Sequence, residues 1–331
     1  MLGKFGSEKM EQAGGITGQK SEVAAHDGTH FLPIESDLAG LCQSGQLLVA
    51  TIGLPASGKT TWATKLLAEA PCFVRVNSDD LRQELPHAHE ARIHSLRDQR
   101  IMAALAEGHS VVVDNTNLRG VSDLRNLARR GGAAFAVRDF RDVGWLECVR
   151  RDAERASRGE HATGRSVIIR MAMQARLFGI PPTVNKEAII VDLDGTLADV
   201  EHRIHHVRSS KKDWKAFFTG IPGDSVNHAV AALYRMAVLA GYTVLFVSGR
   251  PENYRAASEK WLAENAFDDY FALFMRPAGD NKQDTEVKSI IYDRLIAPYF
   301  DVVFTVDDRD AVVKMWRAKG LVCMQVAEGD F

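Results

Sequence analysis

The run Gly53-Leu-Pro-Ala-Ser-Gly58-Lys59-Thr60 constrains this chain more than any other stretch. It has the spacing G-x-x-x-x-G-K-[ST], follows the apolar run Leu47–Ile52 and opens the helix-patterned segment Thr61–Ala68. Strand, glycine turn and helix in that order predict a parallel α/β layer with a phosphate cradle at the strand end. The glycines let backbone N–H groups wrap phosphate oxygens at a helix N-terminus, Lys59 supplies positive charge, and the Thr60 hydroxyl can ligate Mg²⁺. Gly53, Ser57, Gly58, Lys59, Thr60 and Thr61 are the expected nucleoside-triphosphate contacts.

Short β-branched runs continue the pattern at Cys72–Val76, Val111–Val113 and Ala133–Val137, with helical segments between them. The run Cys72–Val76 leads into Asn77-Ser-Asp79-Asp80-Leu-Arg82. A carboxylate at the C-terminal edge of that strand faces the phosphate site, so Asp79 is the expected general base. Arg82, one helical turn on, can hold a phosphate; the competing reading makes Asp79 or Asp80 a helix cap. Asp114-Asn115-Thr116-Asn117 forms a second polar cluster after Val113. In Trp145–Arg158, Arg151 and Arg155 share one face at i, i+4 spacing, and one of them is a candidate lid arginine for γ-phosphate charge.

A length of 331 residues exceeds one ordinary domain of about 100–200 residues, so two cores are expected. Pro181-Pro182 and the polar stretch to Glu187 mark the break. The predicted organisation is a flexible extension over 1–45, a first domain over 46–180, a linker over 181–187 and a second domain over 188–331. Both domains are expected to be α/β with parallel sheets. Four scattered cysteines signal neither a disulfide framework nor a zinc site, which fits a reducing cytosol. No segment approaches the roughly 20 apolar residues of a membrane span, so a soluble, unsecreted protein is expected. Net charge is −2, but residues 46–180 carry 20 Lys+Arg against 15 Asp+Glu, a modest attraction for polyanions.

The second domain opens with strand Ala188–Val191 running into Asp192-Leu-Asp194-Gly195-Thr196. Two carboxylates two residues apart at a strand end suit a nucleophile, Asp192, and an acid–base partner, Asp194. Ser248-Gly-Arg250 follows the run Thr243–Val247, Lys288 lies in a helical stretch, Asp307-Asp308 follows Val302–Val306, and Leu321–Val326 is a further strand. Ser248 and Lys288 can neutralise phosphoryl oxygens, Arg250 can bind substrate phosphate, and Asp192 with Asp307 or Asp308 can hold Mg²⁺. This chemistry implies two phosphoryl-transfer sites, one on each domain.

Taken together, residues Leu47–Phe331 resemble the phage-type polynucleotide kinase/phosphatase, a P-loop kinase fused to a phosphatase of the haloacid-dehalogenase type. The resemblance rests on Ile52–Ala63, Asn77–Arg82, Thr116-Asn-Leu118, the Asp192 motif and Gln325–Phe331. It implies an ATP-dependent 5′-kinase using Lys59, Thr60, Asp79, Arg82 and Arg155, and a 3′-phosphatase with a Rossmann-like fold and Mg²⁺ held at Asp192, Asp194, Asp307 and Asp308. It further implies roles for Arg276, Asp280, Asp284 and Lys288 around the phosphatase site, RNA or DNA ends as substrates, and hand-off to a nucleic-acid ligase. A homotetramer and a cytoplasmic location, host cytoplasm for a phage protein, complete what it implies. The chain departs from the family in placing Asn115 before Thr-Asn-Leu, with Asp114 one position earlier. A metabolite kinase fused to a phosphosugar-type phosphatase uses the same parts and stays open at this level.

Overall fold

The computed structural model describes residues 30–32, 40–41, 45–208 and 211–329. Packing separates two compact units. One is built from the described residues up to Ile52 and from Lys59–Asp139; the other from Gly53–Gly58 and from Phe140 onward. Most of the extension expected over 1–45 lies outside the described residues, as do the last two residues of the Gln325–Phe331 run.

The first unit holds β1 (His30–Phe31), β2 (Leu47–Ile52), β3 (Phe73–Val76), β4 (Ser110–Val113) and β5 (Ala134–Asp139). They form one parallel sheet in the order β1-β5-β2-β4-β3. Helices α1 (Lys59–Glu69), α2 (Ser78–Glu84), α3 (Glu90–Ala106) and α4 (Val121–Arg130) connect the strands. The apolar runs become central strands because both faces are covered: Leu48, Val49, Ala50, Val111, Val112 and Val113 are fully buried. β1 is an addition inside the segment expected to be mobile. It pairs His30 with Ala136 and Phe31 with Val137, and two residues are too few for any periodicity to announce. Cys72 takes part in a disulfide, against the expectation of none; spacing along the chain does not report the Cα separation that decides pairing. Cys148 and Cys323 are buried thiols.

In the second unit, α5 (Trp145–Ser157) and α6 (Arg165–Gln174) precede a sheet of β6 (Glu187–Val191), β9 (Thr243–Pro251), β10 (Ala272–Arg276), β11 (Asp301–Arg309) and β12 (Cys323–Gly329). A small antiparallel pair, β7 (Ala198–Asp199) and β8 (Ser225–Val226), flanks α7 (Glu201–Arg208) and α8 (Trp214–Thr219). Helices α9 (His228–Leu239), α10 (Arg255–Glu264), α11 (Asp284–Ile291) and α12 (Asp310–Ala318) complete it. The sequence break at Pro181 lies after α5 and α6, yet both helices pack with this unit. Trp145 stacks on Phe178 at 5.0 Å and meets the edge of Phe271 at 6.2 Å. Ser166 Oγ accepts the Leu273 N–H at 3.1 Å.

The main sheet is parallel with order β10-β9-β6-β11-β12. From central β6 the chain first builds outward through β9 and β10, then returns to build β11 and β12 on the other side. That reversal opens a crevice beyond the C-terminal end of β6, where ligands of such sheets bind. Leu193, Phe246, Phe267 and Leu273 are fully buried in the core beneath it, each contributing about 1.5–3 kcal/mol of apolar burial.

Candidate active sites

The first site begins where β2 ends. Gly53 (φ 157°) and Gly58 (φ 103°) adopt backbone angles that side chains disfavour. A Cβ on Gly53 would sit 2.8 Å from Ser57 Oγ and 2.9 Å from Phe140 Cβ, so the loop needs glycine there. Lys59 is buried at the first position of α1, followed by exposed Thr60 and Thr61. The first N–H groups of α1 have no acceptor within the helix, which suits an anion.

Asn77, and neither aspartate, caps α2: its Oδ1 accepts from Asp79 N at 2.6 Å and Asp80 N at 3.3 Å. Asp79 therefore keeps its carboxylate outward, 73% exposed, with Arg82 Nη1 at 2.5 Å. Arg82 also forks onto Glu90 with two bonds of 2.9 Å, a partner the sequence reading missed. Bonding to Glu90 raises the Arg82 pKa further above its ordinary value, against a smaller effect of burial.

β4 stops at Val113, so strand alternation no longer fixes which way Asp114 points. Its buried carboxylate accepts from Thr60 Oγ1 at 3.3 Å and from Arg75 Nε at 2.8 Å. The carboxylate set one position early thus reaches the P-loop threonine. Asn115 Oδ1 instead accepts the Ser78 N–H at 2.9 Å. Of the two candidate lid arginines, Arg151 donates to the Ser57 carbonyl at 3.4 Å, whereas Arg155 is half-buried near the charge of Glu160.

The second site lies in the crevice beyond β6. Asp192, Asp307 and Asp308 bring carboxylate oxygens within 4.8 Å of one another, all three buried. Such a set of hard oxygen donors fits Mg²⁺. Gly195 (φ 80°) is required by closeness as well as by backbone angle, since a Cβ there would collide with the Asp308 carboxylate. Thr196 Oγ1 donates to Asp308 Oδ1 at 3.1 Å. Lys288, 1% exposed, places Nζ 2.8 Å from Asp192 and 2.9 Å from Asp307. Burial lowers the Lys288 pKa, but the carboxylates of Asp192, Asp307 and Asp284 outweigh it and hold the ammonium well above its usual range. Burial raises Asp192, against the pull of Lys288. Burial, then the charge of Asp307, pushes Asp308 up to about 6.

Asp194 stands apart from the acidic triad. Its Oδ1 is held by Arg203 Nη2 at 2.5 Å and by Arg250 at 2.6 and 2.9 Å. Burial would raise its pKa; Arg250 and then Arg203 overturn that and hold it at about 2. The expected metal set therefore contracts, for side-chain ligands in this second site, to Asp192, Asp307 and Asp308. Arg250, expected to bind substrate phosphate, is fully buried and spends its guanidinium on Asp194, Asp224 and Ser258. Ser248 is also fully buried, its Oγ accepting the Arg250 N–H at 3.2 Å.

Arg276 bonds the carbonyls of Gly249 at 2.9 Å and Lys282 at 2.6 Å and reaches Asp284 at 3.3 Å, so it shapes the wall of the site. Asp280 accepts from Lys282 N at 2.9 Å and braces the same loop. Asp284 sits 3.6 Å from both Lys288 and Arg309. Asp192, Asp194, Asp308, Arg276, Asp284 and Lys288 are among the residues that line one cavity of about 320 Å³.

Sequence reasoning missed the buried pair Arg203 and Asp224. Arg203 Nε and Nη2 bond the two Asp224 oxygens at 2.5 and 2.7 Å, and Arg250 reaches Asp224 at 3.0 Å. Nothing in Glu201-His-Arg203-Ile-His-His206 distinguishes that arginine from a solvated one.

A P-loop at the end of one parallel sheet and a paired-aspartate strand end at another are two sites whose chemistry suits phosphoryl transfer. Residues 186–331 match the family of the polynucleotide kinase PNKP phosphatase domain, and residues 48–179 match the AAA domain family. A relative from Autographa californica nuclear polyhedrosis virus, described as a putative bifunctional polynucleotide kinase/RNA ligase, is 25% identical over 304 residues. That match covers 84% of this chain and 42% of the relative's length. Chains from two solved Pnkp1/Rnl/Hen1 complexes, one titled an RNA repair complex, are 28% and 29% identical. Each match covers 87% of this chain, with 97% and 98% of the other chain and TM-scores of 0.38 and 0.39. Among the described residues no helix is long and apolar enough to cross a membrane.

Proposed function

We propose that the chain heals nucleic-acid ends, phosphorylating 5′-hydroxyls with ATP and removing 3′-phosphates so that a ligase can join them. The observation that carries this is the convergence of Asp192, Asp307, Asp308 and Lys288 at the β6 end of a domain matching the polynucleotide kinase phosphatase family.

In the phosphatase, an Asp192 oxygen attacks phosphorus, the P–O3′ bond breaks, and the electron pair leaves on the 3′ oxygen, which takes a proton from Asp194. Asp194 then accepts a proton from water as that water attacks the aspartyl phosphate, releasing phosphate and restoring Asp192. The arginine clamp keeps Asp194 ionised at rest, ready for the second step. For the first step Asp194 takes up a proton from solvent as the phosphate dianion binds, because a like charge beside a carboxylate disfavours its ionised form. Lys288 orients the nucleophile through its bond to Asp192. Bound at the triad, Mg²⁺ would supply charge neutralisation for the phosphoryl oxygens.

In the kinase, Asp79 takes the proton of a 5′-hydroxyl as that oxygen attacks the γ-phosphorus and ADP departs. Lys59 and the loop N–H groups of Gly53–Thr61 hold the triphosphate, Thr60 would help to hold Mg²⁺ there, and Arg82 with Arg155 offsets phosphate charge. The kinase segment spans 46–180 and the phosphatase segment 188–331, joined by 181–187, with α5 and α6 of the kinase segment packing on the second unit; the chain acts as a homo-oligomer in the cytoplasm.

The test is an RNA or DNA oligonucleotide with 5′-hydroxyl and 3′-phosphate ends, incubated with ATP and Mg²⁺. Lys59→Ala should lose only 5′-phosphorylation, and Asp192→Asn only 3′-dephosphorylation. Inactivity of the native chain at both ends, with turnover of small phosphorylated metabolites, would refute the reading.

A further inference from the structure

The acidic cavity has an aromatic wall that the chemistry above does not use. Trp214, the first residue of α8, lines the same cavity of about 320 Å³ as Asp192 and Asp194. Its ring stacks on Phe218 at 5.9 Å and 21° and meets Phe217 edge-on at 6.0 Å. Phe218 in turn packs on Tyr254 at 5.1 Å. Phe217 and Phe218 are buried, but Trp214 remains 45% exposed. Its indole is thus supported from within and keeps apolar area that folding has not covered.

The support ties into the reaction centre. The Arg203 guanidinium, which clamps Asp194, lies 4.1 Å from the Phe217 ring centroid and donates to the Phe217 carbonyl at 3.2 Å. The orientation of α8 is therefore set by the same arginine that orients the acid–base residue. Lys212 Nζ lies 5.5 Å from the Trp214 ring, and Lys282 and Arg309 also line the cavity. An exposed aromatic face beside cations is the combination that binds single-stranded nucleic acid, the ring taking a base and the cations the backbone. The cavity lies near the small end of the roughly 300–1,000 Å³ range of ligand sites, which suits one nucleotide.

We propose that Trp214 is the stacking platform for the terminal nucleobase of a 3′-phosphorylated strand, fixing the terminal phosphate in front of Asp192. This rests on the end-healing reading and deepens it by naming what the phosphatase recognises beyond phosphate. The base slides against the indole while the sugar projects its 3′-phosphate toward the acidic triad. Stacking is indifferent to base identity, so the site accepts any terminal base.

The test is a cycle with two enzymes and two substrates, using the full chain. One oligonucleotide ends in an ordinary nucleotide 3′-phosphate; the other carries an abasic tetrahydrofuran 3′-phosphate at that position. For Trp214→Ala, the rise in KM on the base-bearing end should exceed that on the abasic end by about 5- to 150-fold, the range a base–aromatic stack provides. Trp214→Phe should recover most of the difference. Equal losses on both ends would reduce Trp214 to a structural support and overturn the proposal, as would a native enzyme equally efficient on both. Failure of the native enzyme on both oligonucleotides would overturn the end-healing reading and this one with it, so the two failures are distinct.

Discussion

Arg203→Met removes one of two guanidiniums from a buried network of two arginines and two aspartates, and its consequence can be worked from the geometry. Arg203 gives two bonds to Asp224, one to Asp194 and one to the Phe217 carbonyl while only 1% exposed. After the change Arg250 is the one arginine facing both carboxylates, at 3.0 Å from Asp224 and 2.6 Å from Asp194, while His202 Nε2 stays 3.0 Å from Asp224. Two buried carboxylates then share one guanidinium, with the His202 ring nitrogen as the remaining side-chain partner of Asp224, and breaking such a buried pair costs about 3–5 kcal/mol. For a cooperative unit of this size that corresponds to a melting-point drop of about 6–20 °C. The pH sign follows from Asp194, whose folded-state pKa is depressed from 3.8 to about 2. A depressed carboxylate contributes stability above its unfolded pKa and loses it as pH falls through the folded value. The gap between native and variant should therefore be full above about pH 4 and narrow below it. Scanning calorimetry at pH 7 and at pH 3 measures both. Arg203→Lys, which keeps charge but lacks the planar fork, should fall between them. A melting point unchanged at pH 7, or a gap that widens in acid, would refute the argument.

Two further predictions concern other parts of the chain. Asp114→Asn removes the ionised acceptor of Thr60 and leaves Arg75 with Asp80 as its remaining carboxylate, so it should cut 5′-phosphorylation about 10- to 150-fold, from a charge-assisted bond worth about 1.5–3 kcal/mol, with 3′-dephosphorylation as the internal control; equal kinase rates would show that Asp114 is a bystander. Burial, then the Glu259 charge, pushes Tyr270 up to about 12, so its contribution is present below pH 10 and lost as pH rises from 10 toward 12. Urea midpoints at pH 9 and pH 11 should accordingly fall less for Tyr270→Phe than for the native chain, and identical falls would contradict the assignment.

Much of the fold was readable because buried parallel strands are short apolar runs. Leu47–Ile52 has the bounds its sequence indicates, and the strands carrying Asp192 and Asp307 begin within one residue of the expected position. β1, β7 and β8 went unread because each has two residues. The packing of α5 and α6 depends on contacts remote in the chain, which periodicity does not encode.

The sequence by itself determined the chemistry that is local. A glycine loop followed by Lys59 and Thr60, and two aspartates flanking one residue after a strand, announce their geometry because each is built within a single strand end and turn. Tertiary structure decided which charged groups meet. It turned Arg250 inward to Asp194, brought Arg203 from a helix and Asp224 from the turn before β8 to complete that clamp, and gathered Asp192, Asp307, Asp308 and Lys288. The physical reason is that a charge can be buried only where an opposite charge or donor compensates it. That compensation comes from chain segments up to about a hundred residues away, a distance across which spacing carries no signal.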